Sequence, residues 1–574
     1  MKKCQSCNAQ LGAGVRFCSS CGNAVTEKSA HKKFNSNPEM TIRNSNSLRS
    51  ALPFKFETHF AKEASVNNNK KPTLLSRESI RRTLFVVPQS FLSSLEEIFK
   101  ELGVETAGTL HSPDTSALVS LSQQFIRNAP DGAVKYVCII GNWSEIPPSA
   151  VLNDFMDYDG DDFCKTDAFY GATEEFSSDN PLTSVPDILV GRIPITDRNV
   201  VQRILISDPD VVDTRNSFQF GVTAQCWEIA SKEIISSFLN VDKSRQQEFK
   251  PKDTEVIPRS ALLSSPDWTE EDLRKIAFRG PSEPYGLIFF NVHGGADEPN
   301  WVGESVDGEI IGIFQPGTIQ DFNSAILLSE ACYGGALFYD SPSIVEHFFT
   351  NGGNTFVGSS TIAYGARAKP LCAADLLAKY FIKSLYEGLT QGEALKLAKL
   401  EALTEDPLNV EYGLKTALSF NLFGVPWQTL TRSKASTLSN SGIQRRPANT
   451  NESVLNRVRQ NHGATSSSSS NAINQIREQY RGRLPPRQRE FWVQKDKILS
   501  KLQEFRDFYR IMEEINECRG SLENSHMDYV SAGETKSYRL FCKVGNDSRP
   551  KSTMLLMINS EGHLTKTLIS KGTL

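Results

Sequence analysis

Between residues 81 and 430 two hydrophobic periodicities take turns along the chain. Short apolar runs are rich in β-branched and aromatic residues: "TLFVVP" (83–88), "YVCIIG" (136–141), "DILVGRIPI" (187–195), "FGVTAQCW" (220–227), "LIFFNVHG" (287–294), "AILLSEAC" (325–332) and "NTFVGSS" (354–360). Between them lie amphipathic stretches with three- and four-residue spacing, such as "FLSSLEEIFKELG" (91–103), "EIASKEIISSFL" (228–239) and "LCAADLLAKYFIKSLYEG" (371–388). The runs predict strands and the stretches predict helices. Strands that are apolar throughout need cover on both faces. The alternation therefore predicts an α/β fold, a mainly parallel sheet with helices on both sides. About 350 residues are too many for one such sheet, which predicts two α/β lobes, 81–215 and 216–430.

The pattern fails on either side. Residues 1–26 are cysteine-rich. Residues 27–80 ("HKKFNSNPEMTIRNSNS") and 431–486 (with "TSSSSSN") are polar and read as disordered linkers. From 487 the run "REFWVQKDKILSKLQEFRDFYRIMEEINE" predicts a helix, and "SYRLFCKV", "STMLLMIN" and "HLTKTLI" predict short strands. This makes 487–574 a small α+β accessory domain.

Composition narrows the class. The 574 residues are 39% hydrophobic and 23% charged, with a net charge of −4, which fits a globular protein and gives no global argument for nucleic acid or an anionic membrane as partner. No apolar run approaches the ~20 residues needed to span a bilayer. "MKKCQSCNAQ" lacks the apolar core of a secretory signal. With eleven cysteines and no such signal, a reducing, cytoplasmic compartment is expected, where thiols serve metal or catalysis. Cys4-x2-Cys7 and Cys18-x2-Cys21 have the spacing of a closed, tetrahedral, structural Zn2+ site. "CQSCNAQLGAGVRFCSSCGNAV" resembles the short zinc ribbons that open many prokaryotic multidomain proteins. Such ribbons dock proteins or nucleic acid. The few basic residues here argue for a protein partner, an activator or target.

Two runs end in one reactive residue followed by glycines: "NVHGG" at His293 and "SEACYGG" at Cys332. Taken singly, a strand-end histidine is a structural residue and a buried cysteine a small hydrophobe. Together, at carboxyl ends of parallel strands, they form a candidate dyad. An imidazole activates the thiol and protonates the leaving amine, and the Gly294 and Cys332 N–H groups are oxyanion donors.

Strand–His-Gly followed by strand–(Asp/Glu)-Ala-Cys-x-Gly resembles the caspase–legumain–gingipain class of cysteine peptidases. Other phrases narrow the resemblance to gingipain-type peptidases: "VCIIGNWSEIPP", "KTDAFYG", "VPDILVGRIPI", "NTFVGSSTIAYG" and "FNLFGVPWQTL", the last with Val425 where the family commonly has Asp. The resemblance spans about 350 residues in order and leaves out the ribbon and the tail. It implies a caspase-like fold and an endopeptidase that cleaves protein or peptide substrates through a thioester. It also implies cleavage after a basic residue, with Asp167 as the carboxylate of the pocket. Glu330, two residues before the nucleophile, is a second candidate. Bacterial enzymes of this kind with added interaction modules serve regulated cell death or phage defence. Latency released by a partner, or by cleavage in a linker, is an expectation of the same sort. In "NDFMDYDGDDF", Asp157, Asp159 and Asp161 have the alternation of a Ca2+ loop, but position twelve is Ala168 rather than Glu. Asp154 is a candidate for orienting His293. The competing class is an inactive protease-fold scaffold, against which the intact His293, Gly294 and Cys332 speak.

Overall fold

The structure, a computed structural model, describes residues 2–3, 10–11, 74–153, 161–177, 181–206, 218–235, 260–279, 285–296, 298–322, 325–337, 342–404, 410–430, 488–492, 495–518, 520–532, 535–546 and 549–570. The candidate zinc ligands Cys4, Cys7, Cys18 and Cys21, most of both linkers, and Asp154, Asp157 and Asp159 lie outside them. Residues 1–57 form one compact unit, described only by an antiparallel pair, β1 (Lys2–Lys3) and β2 (Gln10–Leu11). Residues 58–574 form the other. No described helix is long and apolar enough to cross a membrane.

The first half of the large unit begins with α1 (Leu74–Arg81), β3 (Thr83–Val86), α2 (Leu92–Leu102), β4 (Gly108–Leu110), α3 (Leu118–Asn128) and β5 (Tyr136–Ile140). A hairpin, β6 (Ser149–Leu152) and β7 (Phe163–Thr166), precedes β8 (Leu189–Ile193) and α4 (Arg198–Ile206). The second half runs β9 (Phe218–Ala224), α5 (Glu228–Ile235), β10 (Ser260–Ser265), α6 (Glu270–Arg279) and β11 (Tyr285–Asn291). A three-stranded flap follows: β12 (His293–Gly294), β13 (Trp301–Glu304) and β14 (Ile310–Phe314). Then come β15 (Ile326–Ser329), α7 (Ile344–Thr350), β16 (Thr355–Ser359), β17 (Tyr364–Ala366), α8 (Ala373–Tyr386), α9 (Gln391–Thr404), α10 (Val410–Ser419) and β18 (Phe420–Phe423).

Ten of these strands form one sheet, in the order β10-β9-β11-β15-β16-β18-β8-β5-β3-β4. The two expected lobes are therefore two halves of a continuous sheet. Within each half neighbours are parallel; β18 runs parallel to β8 but antiparallel to β16, so the halves point opposite ways. The mainly parallel α/β expectation holds. The correction lies in the junction: the last strand of the second half inserts beside the first half and closes the gap.

Side-chain alternation explains the two-faced cover. Leu287 and Phe289 pack with α5, α8, α9 and α10, while Ile288 and Phe290 pack with the face covered by α2, α4 and α7. All four are fully buried, as continuous apolar strands require. Local signals fix helix ends. Gly103, at φ +60°, ends α2 in the left-handed region, and Ser343 with Glu346 forms a reciprocal cap on α7.

The tail departs further from expectation. "REFW" belongs to a strand, β19 (Gln488–Trp492), and the helical run divides into α11 (Lys495–Gln503) and α12 (Phe508–Glu517). Asp507 explains the break: it accepts the Leu564 N–H and contacts His563, which ties this point to the far end of the tail. The strands are long: β20 (Gly520–Ala532), β21 (Thr535–Asn546), β22 (Arg549–Asn559) and β23 (Leu564–Ser570). They form an antiparallel sheet whose edge beyond β23 is completed by β17 of the peptidase-like region. Arg539 of β21 also makes a buried ion pair with Glu411 of α10.

Lys399 of α9 is almost fully buried near Asp167, and burial pulls its ammonium down to about 7, opposed by that carboxylate. Unfolding restores a value near 10.5. The unfolded chain thus binds more protons between pH 7 and 10.5, and stability must rise with pH across that window. Lys399→Met is expected to raise the melting temperature at pH 7 and to flatten this rise, which thermal melts from pH 7 to 10 would measure.

Candidate active site

β11 and β15 are hydrogen-bonded parallel neighbours, with Leu287 opposite Ile326 and Phe290 opposite Ser329. Their carboxyl ends therefore emerge side by side. The Glu330 N–H donates to Phe290 O, carrying the register one residue past the strand. Gly294 then packs onto the backbone of Cys332. A Cβ there would lie 2.1 Å from Cys332 O and 3.2 Å from Ala331 Cβ, so only glycine fits. Of the predicted site residues, the structure brings His293, Gly294, Glu330 and Cys332 together.

His293 and Cys332 are both almost completely buried. The Cys332 thiol lies between the two main-chain groups of Ala363: its Sγ accepts that N–H at 3.1 Å and faces the carbonyl at 3.5 Å. Tyr333 follows at φ +53°, a left-handed turn that costs strain for a residue with a side chain. That turn is braced: the N–H groups of Tyr333, Gly334 and Gly335 donate to Thr361, Ala331 and Ser359. Gly335 is obligatory for the same reason as Gly294, since a Cβ would meet Gly358 O at 2.5 Å.

Glu304, which the sequence did not single out, meets the histidine. Its Oε2 lies 2.6 Å from His293 Nε2. The carboxylate accepts, so the imidazole proton sits on Nε2 and Nδ1 keeps a lone pair. Nδ1 is buried and makes no hydrogen bond. Glu304 arrives through the flap, where His293 pairs with Val302 and the strand ends two residues later. The Trp227 ring packs 4.4 Å from the imidazole centroid. Cys226 Sγ is 3.9 Å from Glu304 Oε2, and burial, followed by that carboxylate, pushes its thiol well up.

Asp161 is a second residue with a place the sequence did not assign. It accepts from Tyr333 OH at 2.6 Å, from the Ile362 N–H at 2.9 Å and from Lys415 Nζ at 2.6 Å. One carboxylate thus ties the residue after Cys332 to the loop that holds the thiol. Within the acidic run, Asp161 already faces a cation of the chain itself.

Asp167 takes a different position from the one the pocket assignment requires. Both its oxygens are held by Arg192, Nε and Nη2 each at 2.7 Å, and Arg192 Nη1 donates to the carbonyls of Gly141 and Ile146. A small pocket of about 30 Å³ beside it is lined by Ala168, Leu189, Lys399 and Asn421 as well. A guanidinium from "GRIPI" occupies the bidentate place expected of a substrate arginine. The physical correction is that this carboxylate is spent on the chain's own cation. Glu330, two residues before Cys332, is fully buried.

The tail closes over this region. β23 pairs antiparallel with β17, Tyr364 opposite Ser570 and Ala366 opposite Leu568, starting one residue after Ala363. Leu568, Leu555 and Phe541 share one core with Cys332, Ala363 and α8. On the tail's other face, Ile498, Leu502, Ile511 and Ile515 share a core with Ala224 and Trp227. Arg367, just past β17, contacts Cys518 Sγ at 3.0 Å.

Two substitutions test these placements. Asp167→Asn leaves the Arg192 guanidinium buried without its counter-charge and is expected to cost about 3–5 kcal/mol of stability, read by denaturant titration. Glu304→Gln keeps the shape but loses the charge that holds the imidazole. It is expected to slow alkylation of Cys332 at neutral pH, measured by mass spectrometry, with little change in melting temperature.

The profile of Peptidase family C25 matches residues 90–207, from α2 through α4, and ends before His293 and Cys332. Among solved structures, the chain is similar to the Arg-specific cysteine proteinase gingipain R, at 10% identity and TM-score 0.45, over 86% of this chain and 98% of that one. It is also similar to a complex of the pro- and mature domains of RgpB from Porphyromonas gingivalis, at 12% identity and TM-score 0.44, over 85% and 98%. No curated protein matches the chain. Residues 90–207 thus resemble Peptidase family C25, and that match supports a cysteine-type endopeptidase.

Proposed function

We propose that the chain is a cysteine endopeptidase, held latent by its own tail, in which Cys332 is the nucleophile and His293 the base. The observation that carries this reading is the contact of Gly294 with the Cys332 backbone, with His293 tied to Glu304 on its other side. Nδ1 takes the thiol proton, Sγ attacks the scissile carbonyl, and the imidazolium protonates the leaving amine. Glu304 stabilises that imidazolium and fixes the ring. The N–H groups of Gly294 and Cys332 receive the oxyanion, each donor worth about 3–4 kcal/mol in comparable sites. Water then releases the acyl group from the thioester.

A basic P1 residue rests on the resemblance, with Glu330, two residues before Cys332, as the second candidate for the pocket acid. The zinc ribbon of Cys4, Cys7, Cys18 and Cys21 is proposed to dock an activator or a target, in a cytoplasmic setting. A role in regulated cell death or phage defence belongs to the same resemblance. Latency has a support of its own: the pairing of β23 with β17 holds the loop that grips the thiol, and both reactive residues are buried beneath it.

The test uses zinc-loaded, full-length protein and a fluorogenic panel with Arg, Lys, Asp or Asn at P1, with calcium present and absent. Cleavage that vanishes in Cys332→Ala is the expected result. Leu568→Ala, which removes about 2–5 kcal/mol of packing between tail and core, is expected to raise cleavage and Cys332 alkylation. The control Leu95→Ala, in the opposite core, is expected to raise neither. Cleavage unaffected by Cys332→Ala would overturn the nucleophile. A panel silent for the wild type and for Leu568→Ala, with Cys332 alkylated no faster in the variant, would favour a scaffold.

A further inference from the structure

Catalysis as proposed uses the His293–Glu304 pair and gives no task to the thiol beside it. Cys226 Sγ lies 3.9 Å from Glu304 Oε2, Glu304 Oε2 lies 2.6 Å from His293 Nε2, and all three donor atoms fall within 4.8 Å of one another. They come from separate places in the fold: the turn after β9, the start of β12 and the end of β13. Among the described residues this is the one group of three or more such donors close enough to share an ion. One thiolate, one imidazole and one carboxylate are a donor set suited to a borderline divalent ion, zinc above all, and too soft for calcium or magnesium. We propose that Cys226, His293 and Glu304 form an inhibitory zinc site that acts by capturing the base.

The geometry needs only small adjustments. Zinc bonds of about 2.0–2.3 Å set tetrahedral ligand atoms roughly 3.3–3.8 Å apart. The His293–Glu304 hydrogen bond therefore opens by about 1 Å while the sulfur closes in. Glu304 can make this shift: its side chain is a quarter exposed, which also gives the ion its way in from solvent. The fourth position is left to water.

Proton balance explains the inhibition. Zinc replaces the proton of the Cys226 thiol, which leaves to solvent. The imidazole stays neutral, but its proton moves from Nε2 to Nδ1, because Nε2 now binds the ion. Nδ1 then carries a hydrogen and cannot accept one from Cys332. Binding stands on the geometry alone; its inhibitory effect rests on the reading of His293 as the base, and the test separates the two.

Full-length protein is dialysed against buffered zinc, and the metal content per chain is measured for wild type, Cys226→Ser and Glu304→Gln. The wild type is expected to hold one equivalent more than either variant, whatever the N-terminal cysteines retain. Cobalt-exchanged protein should lose part of its sulfur-to-cobalt charge-transfer band in Cys226→Ser. Alkylation of Cys332, followed by mass spectrometry, should slow at least about tenfold on adding zinc to the wild type and stay unchanged in Cys226→Ser. Equal metal content and an equal cobalt band in wild type and Cys226→Ser would overturn the site. A lost equivalent with zinc still slowing Cys332 in Cys226→Ser would keep the site and overturn the capture of the base. Because neither readout needs a substrate, a silent peptide panel would leave this result standing.

Discussion

The parallel pairing of β11 with β15 is the constraint on which the candidate site depends. Parallel neighbours end on the same side of a sheet, so whatever follows each strand must share one small space. Here that space is so narrow that the chain leaving β11 lies against the carbonyl of Cys332, and glycine is required there. A slip of two residues in this register would separate His293 from the thiol by more than 6 Å at the usual rise of about 3.3 Å per residue. Fully buried apolar residues on both faces oppose such a slip, because it would mismatch two cores at once.

Charge is arranged around this frame with few loose ends. Three buried carboxylates are matched by a cation of the chain: Asp167 by Arg192, Asp161 by Lys415, Glu411 by Arg539. Taking such groups out of water is expensive, and single pairs of this kind contribute little net stability. What they add is position. Asp161 joins the turn after Cys332 to the facing loop, and Arg539 fastens the tail sheet to α10. Lys399 is the exception, since the guanidinium has already claimed the nearby acid and burial leaves the lysine to lose its proton.

Much of this was legible in the chain. The alternating periods give the α/β class, and the strand-end His-Gly and Cys-x-Gly-Gly phrases lie at the ends of neighbouring parallel strands, where Gly294 packs against the Cys332 backbone. What was not legible is non-local. Glu304 sits eleven residues past His293 in a flap whose hairpin register no spacing rule supplies. Asp167 carries the sequence signal of a pocket acid, and its partner Arg192 lies in a neighbouring motif, but only the fold shows that the two are spent on each other. "REFW" opens a run with helical spacing, yet pairing with β20 turns it into a strand, a case of tertiary context overriding local preference. The junction through β18 was hidden because one short strand, met last, changes two lobes into one sheet.

The β17–β23 pair joins residues about 200 apart in sequence, so its second partner is made long after the first. A chain emerging from the ribosome can assemble the large sheet while the tail is still in the exit tunnel or untranslated. During that interval the strand after Ala363 has an open edge, and the loop holding the thiol lacks its brace. The order of synthesis therefore gives the nascent polypeptide a different surface from the finished one. An exposed strand edge invites pairing with other extended chains, so the arrival of β23 is itself the event that caps it.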